Sequence, residues 1–255
     1  SIGYPTSMPD EISYFEEESP QGWLYAADKD GRKIGFIRSF KQGDEWSHGE
    51  LFVESNALAR KEIAIELLNN FLALNPFSSG HRLRFDFASS DADLNGIFQD
   101  LKNKYKSQTF HYFELTIPDR TESQHSEGSY SSANPKEVAE TLSNLHPVSE
   151  VEAQEWLEDG SLRVEMAGQH IAAVAQINFY PHSAEVIRIA TNKKFLRQGY
   201  AGTLMAKISE ELSARSIRRL FLKVENARTP AINFYKDFGF EEVLERQQTW
   251  HSIYF

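Results

Sequence analysis

The sequence predicts a mixed α/β fold in which two similar domains follow each other along the chain. In both halves, short segments of alternating apolar residues surround segments with helical periodicity. Corresponding strands are almost equally spaced, from Glu50 to Leu83 in the first half and from Glu185 to Leu220 in the second. Between the halves lies a polar, serine-rich stretch without periodicity, which indicates a linker.

The serine-rich stretch sets the expected domain boundaries. We expect a first domain over residues 1–118, a linker over 119–135 and a second domain over 136–255. In each domain a mostly antiparallel mixed sheet is expected to be flanked by helices. The second domain would be a copy of the first, with few identities retained.

The composition is ordinary for a soluble globular protein and excludes several classes of function. Of the 255 residues, 40% are hydrophobic and 25% are charged, and the formal net charge is −10. This acidity argues against nucleic acid and anionic membranes as partners and is compatible with a cationic substrate. The chain has no cysteine, so disulfides, thiolate nucleophiles and cysteine-based metal sites are excluded. No metal site is expected, the expected location is cytoplasmic, and the oligomeric state is left open.

In the first half, residues 1–20 are interpreted as an arm or a short first strand. Asp28 to Gly31 form a predicted hairpin turn, and Asn75 with Pro76 ends the first helix. The predicted strands are 23–27, 33–40, 50–53, 83–87 and 108–117, and the predicted helices are 57–74 and 91–105.

In the second half, Pro135 opens a helix, and Ser149 with Glu152 forms a predicted capping box at the start of the next one. A further helix begins at Pro230 and ends at Gly239, a residue suited to a helix C-terminus. The predicted strands are 162–166, 170–179, 184–190, 220–224, 240–248 and 249–255.

The stretch from Glu185 to Leu204 carries the strongest functional signal. It begins as an apolar strand, crosses a polar loop and starts a helix at Gly199. The first N–H groups of a helix have no intrahelical partner, and the helix dipole adds positive charge there, so such a junction binds anions. Because Gly199 has no Cβ, a phosphate can approach the backbone closely. The stretch matches neither a nucleotide P-loop nor a dinucleotide-binding fingerprint.

This stretch resembles motif A of the GCN5-related N-acetyltransferases (GNAT), which bind the pyrophosphate of acetyl-coenzyme A on a Q/R-x-x-G-x-G/A loop. Gly199 takes the central glycine position and Ala201 the last position, whereas Leu196 stands where the family has Gln or Arg. A second segment is similar to the family's motif B, A-x-x-x-Y-x-x-x-G-F. The matching residues of that segment are Ala231, Tyr235, Gly239 and Phe240.

The resemblance implies that acetyl-CoA is a co-substrate, held between the strands 184–190 and 220–224. Arg197 could offer a cation to the pyrophosphate in place of the family's Gln or Arg. In the family an asparagine often precedes motif B, but Arg228 occupies that position here and Asn226 lies close by. The residues expected to contact the coenzyme are Ile189, Ala190, Thr191, Arg197, Gln198, Gly199, Tyr200, Ala201, Gly202, Asn226 and Asn233.

The resemblance also implies two catalytic residues. Tyr235 would donate a proton to the leaving thiolate, because a phenol is protonated at neutral pH. Glu185 would be the general base, since its spacing ahead of Gly199 matches that of the catalytic glutamate in the histone acetyltransferases of the family. His170 and His182 are weaker candidates for the base. The backbone N–H groups of residues 189–191 would stabilise the oxyanion.

The implied reaction is direct transfer of an acetyl group to an amine of a small molecule or peptide. The first domain lacks a glycine loop at the corresponding junction, Glu54 to Lys61, so we expect it to be a degenerate copy without coenzyme binding. Two alternatives stay open. One is a non-catalytic acyl-CoA-binding or structural protein, suggested by Leu196, Arg228 and a lysine, Lys223, where many relatives have glutamate. The other is an acyltransferase that uses a different acyl-CoA.

Overall fold

The structure is a computed structural model that describes residues 13–17, 23–28, 30–42, 45–57, 59–101, 104–118, 133–145 and 147–255. The linker predicted over 119–135 lies outside the described residues except for its last three positions, and so does most of the predicted N-terminal arm. No helix in the described ranges is long and apolar enough to cross a membrane.

Both halves combine strands and helices, as the sequence predicts. The strands are β1 Ser13–Glu17, β2 Trp23–Ala27, β3 Lys33–Lys41, β4 Trp46–Val53, β5 Arg82–Ala88, β6 Lys104–Thr116, β7 Leu162–Ala167, β8 His170–Phe179, β9 Ser183–Thr191, β10 Arg219–Glu225, β11 Glu241–Glu242 and β12 Gln248–Tyr254. The α-helices are α1 Arg60–Leu74, α2 Ala92–Gly96, α3 Pro135–Leu142, α4 Glu150–Glu158, α5 Tyr200–Ala214 and α6 Thr229–Phe238. Short 3₁₀-helices cover Ile97–Asp100, Lys193–Phe195 and Leu244–Arg246.

The chain forms two compact units that do not follow the order of the sequence. One unit comprises Ser1–Phe110 together with Leu244–Phe255, and the other comprises His111–Val243. We call them the split unit and the central unit. This division differs from the predicted domains 1–118 and 136–255, because the last strand of the chain belongs to the split unit. The duplication itself stays a prediction, although each unit contains one parallel strand pair joined through a helix.

In the split unit, the sheet has the strand order β1-β2-β3-β4-β5-β12-β6. The parallel pair is β4 with β5, and α1 lies between these strands in the sequence. Helix α1 covers one face of the sheet with Ile63, Leu67 and Phe71, all of them fully buried. Strand β12 pairs antiparallel with β5 on one side and with β6 on the other over its whole length. The C-terminal residues are therefore a central part of this unit.

The position of β12 explains an error in the prediction of a helix over 91–105. Asp91 caps the helix α2 by accepting a hydrogen bond from the N–H of Leu94 at 3.1 Å. However, α2 ends at Gly96, and β6 already begins at Lys104, which pairs with Tyr254 of β12. Helical periodicity is a local signal, whereas pairing with a distant strand determines where the chain becomes extended. The strand predicted over 240–248 is likewise reduced to Glu241–Glu242 and a 3₁₀ turn.

His251 of β12 is a buried neutral histidine of the split unit. Its Nδ1 lies 2.7 Å from the hydroxyl of Ser107, its Nε2 lies 2.9 Å from Oδ1 of Asn95, and its ring stacks on Phe98 at 4.2 Å. An amide oxygen only accepts hydrogen bonds, so Nε2 carries the proton and Nδ1 accepts from the serine. Burial lowers the pKa of His251 from 6.5 to about 4.

We expect this histidine to make the split unit sensitive to acid. The unfolded chain binds a proton below about pH 6.5, and the folded protein does so only near pH 4, so stability is lost as the pH falls through this window. The loss due to His251 should reach roughly 3 kcal/mol at pH 4. Urea unfolding at pH 7, 6, 5 and 4, monitored by tryptophan fluorescence, measures this loss of stability. The signal reports mainly on the split unit, which contains three of the four tryptophans, Trp23, Trp46 and Trp250.

The matched variant is His251→Gln, which keeps a polar side chain but does not titrate in this range. The wild-type protein should be more stable than the variant at pH 7, and this advantage should shrink toward pH 4. An advantage that stays constant over the whole range contradicts the prediction.

In the central unit, the strand order is β6-β10-β9-β8-β7. One face of this sheet packs against α5 and α6 in a core that includes Leu204, Met205 and Tyr235. We call it the α5 face. The other face packs against α3 and α4 in a core that includes Val138 and Leu157, and we call it the α4 face. The helix starts follow the sequence signals: Pro135 stands in the first turn of α3, and Ser149 with Glu152 forms the predicted capping box of α4.

Candidate functional site

A gap opens between β9 and β10 in the central unit. The two strands are parallel, and their registered pairs run from Arg219 opposite Ser183 to Leu222 opposite Val186. Both strands then continue without pairing to each other, β9 as far as Thr191 and β10 as far as Glu225. The resulting wedge lies where the sequence predicts that acetyl-CoA is held.

A β-bulge in β9 coincides with the start of this gap. Gln176 of β8 pairs with Arg188, and the next residue of β8 pairs with Val186, so Ile187 is an extra residue in β9. A bulge bends its strand and increases the local twist. The bulge therefore gives a physical reason for the separation of β9 from β10.

The backbone of β9 beyond the bulge offers hydrogen-bonding groups to the gap. The N–H of Asn192 donates to the carbonyl of Ala172 on β8 at 2.9 Å. Alternate residues of an antiparallel strand direct their backbone groups to the same neighbour, so Ala190 also faces β8. The backbone groups of Ile189 and Thr191 consequently face the gap. Of the three predicted oxyanion donors, these two have the required direction and Ala190 does not.

The loop after β9 leads to an uncapped N-terminus of α5. Gly199 precedes the helix with φ 86° and ψ −5°, a left-handed conformation that favours glycine, and no side chain caps the helix. A Cβ added at Gly199 or Gly202 would meet no atom within 4 Å. Arg197 also has a positive φ of 60°, and its side chain is exposed, as is that of Gln198. The first N–H groups of α5 therefore point into open space that an anionic group can enter.

The remaining residues of the loop hold its shape. The side-chain amide of Gln198 donates to the carbonyl of Lys194 at 3.2 Å. Tyr200 packs its ring edge against Phe195 at 5.6 Å and contacts the core of the α5 face. Ala201 is half-buried in the first turn of α5. Leu196 is 55% exposed and contributes no polar group to the loop.

Tyr235 lies on the α5 face, in the middle of α6. Its ring packs against Phe113, Phe234 and Phe240 at centroid distances of 6.3, 5.4 and 5.7 Å. Burial raises the pKa of Tyr235 to about 12, with a smaller opposite effect from Arg228. The phenol is therefore protonated throughout the neutral pH range. The ring contacts of Tyr235 are those of a core aromatic residue and would be the same if the residue were also a proton donor. Only the hydroxyl group could serve the second role.

Glu185 lies in the paired part of β9, and both of its carboxylate oxygens have partners. The hydroxyl of Tyr180 donates a hydrogen bond to Oε2 at 3.1 Å, and the ammonium of Lys223 lies 3.8 Å from Oε1. The neighbours of Glu185 in β9, Ala184 and Val186, belong to the core of the α5 face. Successive residues of a strand point to opposite faces, so Glu185 points to the α4 face. Glu185 and Tyr235 are therefore on opposite faces of the sheet that contains the gap.

Four predicted residues are at the margin of this arrangement. Asn226 is exposed in the turn after β10, and Asn233 is exposed on α6. His182 is exposed in the turn before β9. His170 lies 3.5 Å from Glu137 at the edge of a polar cavity of about 570 Å³ that α3 and Asn192–Lys194 also line. None of the residues predicted to contact the coenzyme lines this cavity.

The corresponding junction of the split unit is filled by its own side chains. Ala59 precedes α1 in a left-handed conformation, with φ 59°, as Gly199 precedes α5. The next residue, Arg60, binds both carboxylate oxygens of Asp91 at 2.7 Å and the carbonyl of Val53 at 3.1 Å. This ion pair holds the pKa of Asp91 below its usual value. A methyl group, that of Ala59, thus stands where the central unit has Gly199.

The sequence reasoning missed two polar residues of the α4 face, Gln176 and Arg188, which are cross-strand partners at the bulge. A signal was present, because each interrupts an otherwise apolar strand. Tyr180, the partner of Glu185, was also missed, and its exposed position in a turn offers no sequence signal.

Residues 132–240 match the family model described as the Acetyltransferase (GNAT) family. This range contains both motifs, the gap and all predicted site residues. No curated protein matches the sequence.

Several solved structures resemble the chain in fold. A GCN5-related N-acetyltransferase from Sphaerobacter thermophilus has a TM-score of 0.65 at 14% identity, over 92% of this chain and 81% of that one. A GNAT-family acetyltransferase from Colwellia psychrerythraea has a TM-score of 0.59 at 10% identity, over 92% and 86%. A tandem GNAT protein from the clavulanic acid biosynthesis pathway has a TM-score of 0.55 at 13% identity, over 97% and 84%. At these identities the similarity shows a GNAT-like mixed α/β fold.

Proposed function

We propose that the central unit is an N-acetyltransferase that transfers an acetyl group from acetyl-CoA directly to an amine. The observation that carries this proposal is the gap between β9 and β10, which leads to the uncapped N-terminus of α5. Backbone groups that face the gap can form hydrogen bonds with the extended, amide-containing part of acetyl-CoA. A free helix N-terminus can bind the pyrophosphate of acetyl-CoA. The match of residues 132–240 to a GNAT family model supports the same reading.

In this proposal the residues of β9 and α5 hold and orient the donor. The N–H groups at the start of α5, from Tyr200 to Gly202, bind the pyrophosphate, and Arg197 adds a positive charge. The backbone of Ile189 and Thr191 binds the donor inside the gap, and one of these N–H groups stabilises the oxyanion. Positioning a thioester beside an amine supplies much of the catalytic effect, because it removes the entropy cost of bringing them together.

Glu185 and Tyr235 handle the protons. The amine nitrogen attacks the thioester carbonyl, the C–N bond forms and the C–S bond breaks. Glu185 takes the proton that the nitrogen loses, and Tyr235 assists departure of the sulfur as a thiolate. A phenol with a pKa of about 12 gives its proton to a thiolate with difficulty, because ordinary thiols have a pKa of about 8.5. We therefore propose a hydrogen bond from Tyr235 to the sulfur, with the final proton supplied by solvent.

A non-catalytic acyl-CoA-binding protein is the second candidate, because the ammonium of Lys223 lies 3.8 Å from the carboxylate of Glu185, the proposed base. Calorimetry with acetyl-CoA, combined with turnover on a panel of amines and peptides, separates these possibilities. An acetyltransferase binds acetyl-CoA and releases coenzyme A only when an amine is present. Binding without turnover on any amine would favour the second candidate, and the absence of binding would reject both. Replacing acetyl-CoA by other acyl-CoA compounds in the same assay identifies the acyl group.

A further inference from the structure

The α4 face of the central unit carries a polar cluster next to the gap. Val174 of β8 belongs to the core of this face, so Gln176 and Asn178, two and four residues further along the strand, share it. Their partners on β9 are Arg188 and Glu185. The cluster therefore places an amide, a guanidinium and the proposed base on one face, on the side opposite α5.

Arg188 is a cation that forms no ion pair with a carboxylate among the residues that the structure describes. Its guanidinium lies 4.8 Å from the ring of Trp156 on α4, and burial lowers its pKa. Within the described ranges, no carboxylate oxygen lies within 4.0 Å of it. Glu152 acts on it at longer range, but this carboxylate is bound to the backbone and hydroxyl of Ser149 at 2.8 and 2.7 Å. A half-buried guanidinium of this kind suits a ligand carboxylate, which it can bind through two hydrogen bonds.

Gln176 has an unused hydrogen-bond acceptor. The residue is only 8% exposed, and its Oε1 has no partner in the part of the chain that the structure describes. A buried acceptor without a partner destabilises the folded protein. Such a group is consistent with a role in binding a donor from outside the protein.

We propose that this cluster selects an acceptor that carries a carboxylate near its amine, an amino acid or a similar compound. Arg188 binds the carboxylate, Gln176 accepts an N–H, and Glu185 takes the proton of the attacking amine. Gln176 and Asn178, the partners of Arg188 and Glu185 on β8, are alternate positions of a strand and therefore about 7 Å apart. An amine and a carboxylate separated by a few bonds can thus reach both Glu185 and Arg188. The side chain of Lys223 is 32% exposed and Tyr180 is 43% exposed, so this face can be approached from solvent beside Glu185. The inference rests on the proposed acetyltransferase function and names its substrate class.

Matched pairs of amines that differ only in the carboxylate test the proposal. Suitable pairs are phenylalanine with 2-phenylethylamine and β-alanine with ethylamine. The wild-type protein should acetylate the carboxylated member with a kcat/KM at least about tenfold higher, because only that member forms charge-assisted hydrogen bonds with Arg188. Arg188→Gln should remove this preference by lowering kcat/KM for the carboxylated member only. The affinity for acetyl-CoA should stay within about twofold of the wild-type value.

Gln176→Leu separates a binding role from a structural one. Leucine removes an acceptor that has no partner, so the thermal midpoint should stay the same or rise. The KM for the carboxylated amine should nevertheless rise, on the order of tenfold. Arg215→Gln is the control, since Arg215 lies at the end of α5, stacks on Phe179 and pairs with Glu211. It should change neither acceptor preference nor KM.

The inference and the proposed function can fail separately. If both members of each pair react equally well and Arg188→Gln has no selective effect, the substrate class is wrong and the acetyltransferase stands. If acetyl-CoA binds but no amine reacts, calorimetric titration of phenylalanine and 2-phenylethylamine into the protein saturated with acetyl-CoA decides the matter. Selective binding of phenylalanine that Arg188→Gln abolishes supports the inference. Equal or absent binding of the two compounds overturns it.

Discussion

Replacing Gly199 by glutamate is expected to weaken acetyl-CoA binding by at least about 100-fold, which corresponds to about 2.7 kcal/mol. Two effects combine in this variant. A side chain at a φ of 86° costs the loop roughly 1 kcal/mol. In addition, the new carboxylate occupies the N-terminal end of α5, where it repels the pyrophosphate that we propose to bind there. Isothermal titration calorimetry with acetyl-CoA measures the change.

The control is Gly160→Glu, because Gly160 also has a positive φ, of 74°, and a Cβ there meets no atom within 4 Å. It follows α4, precedes β7 and is not among the predicted site residues. Both variants therefore carry a similar backbone cost and the same added charge. The control should bind acetyl-CoA with nearly wild-type affinity. If the two variants bind equally well, the anion site is not at the start of α5.

Replacing Tyr235 by phenylalanine is expected to lower kcat by about 100-fold, the lower end of the effect of removing one hydrogen-bond donor from charge that develops in the transition state. The affinity for acetyl-CoA should not change, because the ring contacts to Phe113, Phe234 and Phe240 remain. The thermal midpoint should stay the same or rise, since the variant no longer buries a hydroxyl group. A core role would therefore leave kcat unchanged, which distinguishes it from the proposed one.

The pH dependence of kcat provides a second measurement on this tyrosine. Since the pKa of Tyr235 is about 12, its ionisation should not reduce the activity of the wild-type protein below about pH 11. Any decline at pH 8–9 belongs to another group, and it should persist in Tyr235→Phe. A decline in that range that disappears in the variant would assign it to Tyr235 and contradict the expected role. Tyr254→Phe, in β12 of the split unit, is the control for the assay.

Local signals in the sequence predicted local structure well. The capping box of Ser149 and Glu152 is present, and Gly239 ends α6 with a φ of 105°, as expected of a glycine at a helix C-terminus. The left-handed Gly199 at the start of α5 likewise follows the motif. These features depend on residues within one helical turn of each other, so a single sequence contains all the information that they need.

Long-range pairing could not be predicted in the same way. The last strand pairs between β5 and β6, and the sequence alone placed it in the other domain. The error over residues 91–105 has the same origin, because β6 begins early in order to pair with this strand. Strands with a similar alternation of apolar and polar residues could each pair with several others, so the sequence alone does not identify the partner of a strand. The partner is decided when the whole sheet assembles.

By itself, the sequence determined the mixed α/β fold class, the glycine loop and the motif around Tyr235, because each depends on residue types at short, fixed spacings. Only the tertiary structure decided how these parts face each other. The extra residue Ile187 separates β9 from β10, and strand alternation puts Glu185 on the α4 face while Tyr235 stays on the α5 face. One residue more or less in a strand reverses the direction of every following side chain. Packing and strand pairing therefore decide where the bulge lies. The position of the bulge in turn decides how the candidate site is divided between the two faces of the sheet.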